Sequence, residues 1–210
     1  MTGKVFLGGH SLGAARVLQY AYSRIERGLP VDGVYALAPP NPGNRVIGSG
    51  LNGVFMRSVK NRRDLVTDVP VDIAILGEEY VQPRAFEEIN EASDDTGPFR
   101  DHHIALYQAG CKKLVQGTAA IDIGIAVDWV ARLYETADGW DWINPIDGQY
   151  WSMIIMANGA KLMIARGSKT PLDWLDDFDA HQIDVLGARM SAGFWSGIGP
   201  IEAMLDAQLT

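Results

Sequence analysis

The sequence predicts an α/β architecture, a central and mostly parallel sheet flanked by helices, on three observations. Val5-Phe6-Leu7 is an apolar run, Gly9-His10-Ser11-Leu12-Gly13 follows it, and Ala14, Val17, Leu18, Ala21, Tyr22 and Ile25 then lie on one helical stripe. Strand, glycine-flanked serine and helix in this order describe the nucleophile elbow of an α/β-hydrolase, a sharp turn that holds a serine above the edge of the sheet. The two glycines are the second observation: where a helix comes back close to its strand there is no room for a Cβ. The third is position. The strand that feeds such an elbow is central in its sheet, yet here it opens the sequence. The elements that normally precede it have to come from the other end.

A length of 210 residues suits one α/β domain with its own core and is short for two, so a single domain over 1–210 is the expectation. Hydrophobic residues at 47% and charged residues at 21% are ordinary globular values. A formal net charge of −8 and the lack of any basic cluster argue against nucleic acid as a partner and against simple electrostatic docking to anionic membranes. The single cysteine, Cys111, excludes an intramolecular disulfide and a cysteine-built zinc site, and reads as an incidental, semi-buried thiol. No basic-then-apolar leader and no membrane-length apolar run is seen, so a cytoplasmic or otherwise unexported protein without an integral membrane segment is the expectation.

In order, residues 5–7 read as strand and 12–27 as helix, stopped by Gly28 and Pro30. Val34-Tyr35-Ala36-Leu37 is a short buried strand that ends in a proline-rich turn over 38–44. Residues 54–59 are a further strand, running into the polar loop 60–64. Segments 71–76 and 80–82 flank Gly77-Glu78-Glu79 and suggest a hairpin; 90–98 is an acidic loop and 103–114 is helical. The texture then restarts, with 108–120 as the seam. An apolar helix covers 121–134, and the aromatic turn Gly139-Trp140-Asp141-Trp142 follows. Strands 150–156 and 161–165 are joined by Asn158-Gly159, a strong hairpin signal. Residues 171–178 read as helix, 183–186 as a short extended piece and 194–209 as the last helix. Trp140, Trp142, Tyr150 and Trp151 read as core and hairpin packing.

A serine hydroxyl becomes a useful nucleophile when an imidazole takes its proton and a carboxylate orients that imidazole. In this fold the order along the chain is Ser, acid, His. His10 lies within the elbow and points the wrong way to serve Ser11, and His181 has no catalytic context. His102 and His103 remain, after a long loop and before a helix. For the acid, Asp64 lies nearest the C-terminal end of the 54–59 strand, with Asp68 and Asp72 further on.

These residues resemble the class 3 lipases, the fungal triacylglycerol lipase-like α/β-hydrolases. Gly9-His10-Ser11-Leu12-Gly13-Ala14-Ala15 is similar to the family's elbow, with Ala14 where a third glycine is usual. Ala36-Leu37-Ala38-Pro39-Pro40-Asn41-Pro42-Gly43-Asn44 resembles the next strand and its turn. Asn61-Arg62-Arg63-Asp64-Leu65-Val66, closing at Pro70, resembles the acid loop and selects Asp64. Asp101-His102-His103-Ile104-Ala105-Leu106-Tyr107 resembles the histidine segment, where a Tyr five residues after the base favours His102 over His103. A fifth match stands out of order. Leu162-Met163-Ile164-Ala165-Arg166-Gly167-Ser168, then Asp173-Trp174-Leu175 and Asp177, resembles a strand and helix that in the family precede the elbow. Gly193-Phe194 resembles the helix that runs into the elbow strand. Read from 121 to 210 and then from 1 to 114, the sequence restores the family order, which implies a circular permutation. On that reading 121–210 is equivalent to the family's N-terminal half with the oxyanion strand, and 1–114 to its C-terminal half with Ser, Asp and His.

The resemblance implies a lipase or esterase acting through an acyl-enzyme, with Ser11, Asp64 and His102 catalytic. The oxyanion would meet the backbone N–H groups of Leu12 and Ser168, with the Ser168 hydroxyl as a further donor. It also makes 169–178 the place for a mobile lid, with Leu172, Trp174 and Leu175 on its apolar face, against a packed core helix as the alternative. The expected partner is a small-molecule or lipid ester, with no metal or organic cofactor. Two arrangements close the fold: one chain as a monomer, or a domain-swapped dimer in which residues from about 121 onward pack on a neighbour. Two other functional readings stand beside the esterase: a catalytically silent binding or structural module on the same shell, and a thioesterase or peptidase.

Overall fold

Strand β1 (Val5–His10) is buried at every position. Val5 and Leu7 enter one apolar layer and Phe6 the other, the two-residue period of a pleated strand with helices on both faces. The computed structural model describes residues 3–70, 79–97, 99–114, 121–136, 138–144, 151–168 and 181–210. From β1 the chain turns at Ser11 into α1 (Leu12–Glu26), then β2 (Gly33–Leu37), α2 (Arg45–Gly50) and β3 (Phe55–Asn61). Next come β4 (Glu87–Ile89), α3 (Ile104–Cys111), α4 (Ile123–Glu135) and β5 (Trp142–Ile143). Two hairpins, β6 (Trp151–Ile155) with β7 (Lys161–Ala165) and β8 (Gln182–Val185) with β9 (Ala188–Ser191), lead to α5 (Ala192–Ser196) and α6 (Glu202–Leu209).

Among the described residues the main sheet has seven strands in the order β4-β3-β2-β1-β7-β6-β5. β4, β3, β2, β1 and β7 run parallel, and β6 is antiparallel to both β7 and β5. β1 is central, with Gly9 opposite Ala36 of β2 on one side and Ala165 of β7 on the other. One neighbour is the next strand in the chain; the other arrives some 150 residues later, within the same molecule. Helices α1, α2 and α6 pack on one face of the sheet, α3 and α4 on the other. α6 is also held to α1 by polar contacts: Asp206 accepts from Tyr20 Oη at 2.8 Å and from Arg24 Nη1 at 2.6 Å, and Glu202 pairs with Arg27 at 2.9 Å.

Several elements differ from expectation. The last helix is two helices, because Pro200 has no N–H to continue the ladder and sits in a 3₁₀ turn, Gly199–Ile201. The extended piece near 183–186 is half of a hairpin turned by Leu186 and Gly187, both at positive φ (49° and 86°). A leucine is a poor announcement of such a turn, so β9 is hidden. β4 carries Glu87 and Glu88 on a sheet edge, where charge is protective but masks the strand pattern. Residues 80–82 form no strand; Val81 makes an isolated bridge to Gly43. The other half of that expected hairpin, 71–76, lies outside the described residues, as do the expected helix 171–178, Tyr150 and Asp72. α3 ends at Cys111, three residues short of the expected 114, and residues 115–120 of the expected seam are outside the described set.

Candidate active site

Ser11 occupies the turn between β1 and α1 with φ 59° and ψ −134°, a conformation that L-residues rarely adopt. The fold over-determines it. The Ser11 N–H donates to the Leu37 carbonyl at 2.9 Å, while the Ser11 carbonyl accepts from the Ala14 N–H at 2.8 Å. Gly13 explains the motif's last glycine: a Cβ there would overlap the carbonyl group of Ala165 at the end of β7. The glycine is required by a strand from the far end of the chain.

Asp64 follows the tight turn after β3, where Arg62 has φ 43°. Its side chain caps the 3₁₀ turn Leu65–Asp68 by accepting the Val66 N–H on Oδ1 at 3.0 Å. Oδ2 accepts from His102 Nδ1 at 2.8 Å and from the Tyr107 hydroxyl at 2.6 Å. Tyr107 Oη in turn accepts the Asn61 N–H at 2.9 Å, which ties α3 to β3. Burial alone would raise the Asp64 pKa, but the bonds from His102, Tyr107 and Val66 outweigh it and hold the carboxyl below its ordinary value. Asp64 is therefore ionised and sealed.

His102 ends the 3₁₀ turn Arg100–His102 just before α3. With Nδ1 donating to Asp64, Nε2 is the acceptor, and it lies 2.7 Å from Ser11 Oγ. Serine hydroxyl, imidazole and carboxylate thus form one hydrogen-bonded line. The alternatives are elsewhere. His103 is exposed and reaches Asp95 at 3.2 Å, and Asp68 pairs with Lys60 at 2.8 Å. His181 lies exposed at the start of β8.

Leu12 heads α1, where the first N–H groups have no acceptor within the helix. Across the turn stands Gly167: a Cβ on it would lie 2.8 Å from both Ser11 Cβ and the His10 carbonyl oxygen. Ser168, the next residue, is half-buried. The Gly167 N–H donates to the Tyr134 hydroxyl at 3.0 Å, which anchors this turn to α4. Gly167, from the far end of the chain, is thereby brought against Ser11, with Leu12 following Ser11 at the head of α1.

His10 is the residue whose part sequence reasoning missed. It is buried, and both its ring nitrogens are engaged by groups other than Ser11. Its ring stacks on His102 with centroids 4.7 Å apart, and its nitrogens contact the His102 carbonyl and the Tyr134 hydroxyl, both at 3.0 Å. Nothing in the local pattern links residues 10, 102 and 134; only the closed sheet does. Cys111 is fully buried rather than semi-buried, and burial pushes its thiol up to about 12. A cleft of about 310 Å³ opens beside the acid and histidine turns, lined by Arg63, Leu65, Thr96, Gly97, Arg100 and Asp101.

Among the described residues no group of three or more His, Cys, Asp or Glu side chains could hold a metal ion, and no helix is long and apolar enough to cross a membrane. Family models, curated proteins and solved structures yield no match to this chain.

Proposed function

We propose that this protein is a serine carboxylic-ester hydrolase, a lipase or esterase of the α/β-hydrolase fold and a circularly permuted relative of the class 3 lipases. One observation carries the reading: Ser11 Oγ, at the apex of a strained strand-to-helix turn, lies 2.7 Å from an imidazole whose other nitrogen meets a buried carboxylate at 2.8 Å. The permutation is supported by β7, which lies parallel to β1 and delivers Gly167 against Ser11. Termini that lie at a surface and near each other make such rearrangement tolerable.

In the proposed reaction Ser11 Oγ attacks the ester carbonyl carbon as its proton passes to His102 Nε2. The carbonyl π electrons move to oxygen, and the Leu12 and Ser168 N–H groups donate to the resulting oxyanion. Loss of one such donor typically costs about 3–4 kcal/mol of transition-state stabilisation. Collapse breaks the bond to the alcohol oxygen, which leaves with the proton from His102. Water then gives a proton to His102 as its oxygen attacks the acyl-Ser11 carbon, and a second collapse releases the acid and returns the proton to Ser11. Asp64, held ionised, orients His102 and offsets its transient positive charge.

The test is turnover of short-chain p-nitrophenyl esters by wild type, Ser11→Ala, His102→Ala and His103→Ala. Activity is expected in wild type and His103→Ala alone. A near-normal His102→Ala enzyme would overturn the assignment of the base.

A further inference from the structure

His10 is outside the three-residue line, yet both its ring nitrogens are engaged. Nε2 faces the His102 carbonyl oxygen at 3.0 Å, and a carbonyl oxygen only accepts, so Nε2 carries a proton. Nδ1 faces the Tyr134 hydroxyl at 3.0 Å. That hydroxyl oxygen already accepts the Gly167 N–H, and its own buried proton needs an acceptor, which the Nδ1 lone pair supplies. One polarity therefore satisfies the whole path: Gly167 N–H to Tyr134, Tyr134 O–H to His10, His10 N–H to the His102 carbonyl.

A second proton on His10 would break this pattern. It would leave the Tyr134 proton without an acceptor and place a cation under the His102 ring, 4.7 Å away. The other groups facing this ring or its partners are Tyr107 in edge contact, the Asp64 carboxylate, His103, and the Arg166 guanidinium over Tyr134. Burial first, then the neighbouring His102, holds the His10 pKa well below the usual histidine value despite Asp64. The ring is neutral.

We propose that His10 is a positioning residue: a neutral Nε2–H imidazole that locks the turn bearing the general base to the Gly167–Ser168 turn through Tyr134, so that base and oxyanion donor keep one geometry about Ser11. Its place is apt, since it is bonded covalently to Ser11, by a hydrogen bond to the backbone of His102, and through the Tyr134 hydroxyl to Gly167. The inference rests on the esterase reading, and its test has an arm that does not need turnover.

Two substitutions separate the ring from its hydrogen bonds. His10→Phe keeps a flat ring against His102 and loses both bonds; His10→Gln keeps a donor and an acceptor and loses the ring. With p-nitrophenyl esters, His10→Phe is expected to lose kcat about 100-fold, the effect of a ~1 Å misplacement, with KM within about twofold. His10→Gln is expected to regain about tenfold of that loss, and Tyr134→Phe to fall alongside His10→Phe. If His10→Phe does not fold, Tyr134→Phe carries the kinetic arm. In ¹⁵N-resolved spectra of wild type, the His10 ring is expected to stay in the Nε2–H form from about pH 5 to about pH 8, where an exposed histidine titrates. An inactive wild type with that fixed tautomer would overturn the esterase reading and leave the link itself standing. An active enzyme whose His10 titrates overturns the link. So do equal losses in His10→Phe and His10→Gln, or substitutions that all stay within about threefold of wild-type kcat.

Discussion

Asp64→Asn turns one acceptor into a donor, and the hydrogen bonds around it set the consequence. Three donors converge on the carboxylate: the Val66 N–H on Oδ1, and His102 Nδ1 and the Tyr107 hydroxyl on Oδ2. An amide can keep only one side. With its oxygen toward His102 and Tyr107, its NH₂ faces the Val66 N–H, and both donors go unpaired. With its oxygen toward Val66, the NH₂ donates to both His102 Nδ1 and Tyr107 Oη, and only the Tyr107 proton loses its acceptor. The second orientation is favoured by that count. It also forces the His102 proton onto Nε2, so the ring faces Ser11 as a donor and cannot act as the base. The wrong tautomer in such a triad lowers kcat about 10⁴-fold, or ~5.4 kcal/mol of barrier. The stranded hydroxyl costs about 1–3 kcal/mol of stability. Steady-state ester hydrolysis and urea unfolding measure the two effects. On the proposed esterase reading, an Asp64→Asn variant within about tenfold of wild-type kcat would refute the reasoning.

Three further outcomes follow from the packing. Asp206→Ala strips the carboxylate from Arg24, whose side chain is 1% exposed, so a loss of about 3–5 kcal/mol is expected in urea unfolding; under about 1 kcal/mol would mean α6 is not seated on α1. Gly13→Ala drives a Cβ into the backbone of Ala165 and Arg166, and a loss of about 3 kcal/mol is expected in thermal unfolding. An unchanged Tm would mean that β7 does not lie beside the elbow. His10 adds a pH dependence to stability. Its folded pKa lies below the unfolded value of 6.5, so its contribution is complete above that pH and is lost as pH falls through the window beneath it. The slope is about 1.4 kcal/mol per pH unit while the unfolded chain binds the extra proton. Stability curves of wild type and His10→Gln between pH 7 and 5 test this, the substitution flattening the slope by about that amount.

Much of the site is legible in the sequence because its parts are local. The elbow is a contiguous pentapeptide, Asp64 follows a strand end, and His102 precedes a helix with Tyr107 one turn and more beyond. Each carries its own signal within a few residues. What the sequence hides is contact between distant segments. Gly13 looks like an elbow glycine, but the carbonyl it must clear belongs to Ala165. His10 looks like a bystander, because its two partners lie 92 and 124 residues away. The fold divides the same way. The Asn158-Gly159 hairpin announces itself by turn chemistry, whereas the Leu186-Gly187 hairpin does not. β4 has only three residues and owes its place to β3, so its two glutamates read as loop.

The most direct test of the central claim is reaction with an alkyl fluorophosphonate, read by intact mass and peptide mapping. A single adduct on Ser11 is expected, formed in step with the loss of ester hydrolysis, slowed strongly in His102→Ala and absent in Ser11→Ala. An adduct on another residue, or equal labelling of wild type and Ser11→Ala, would contradict it.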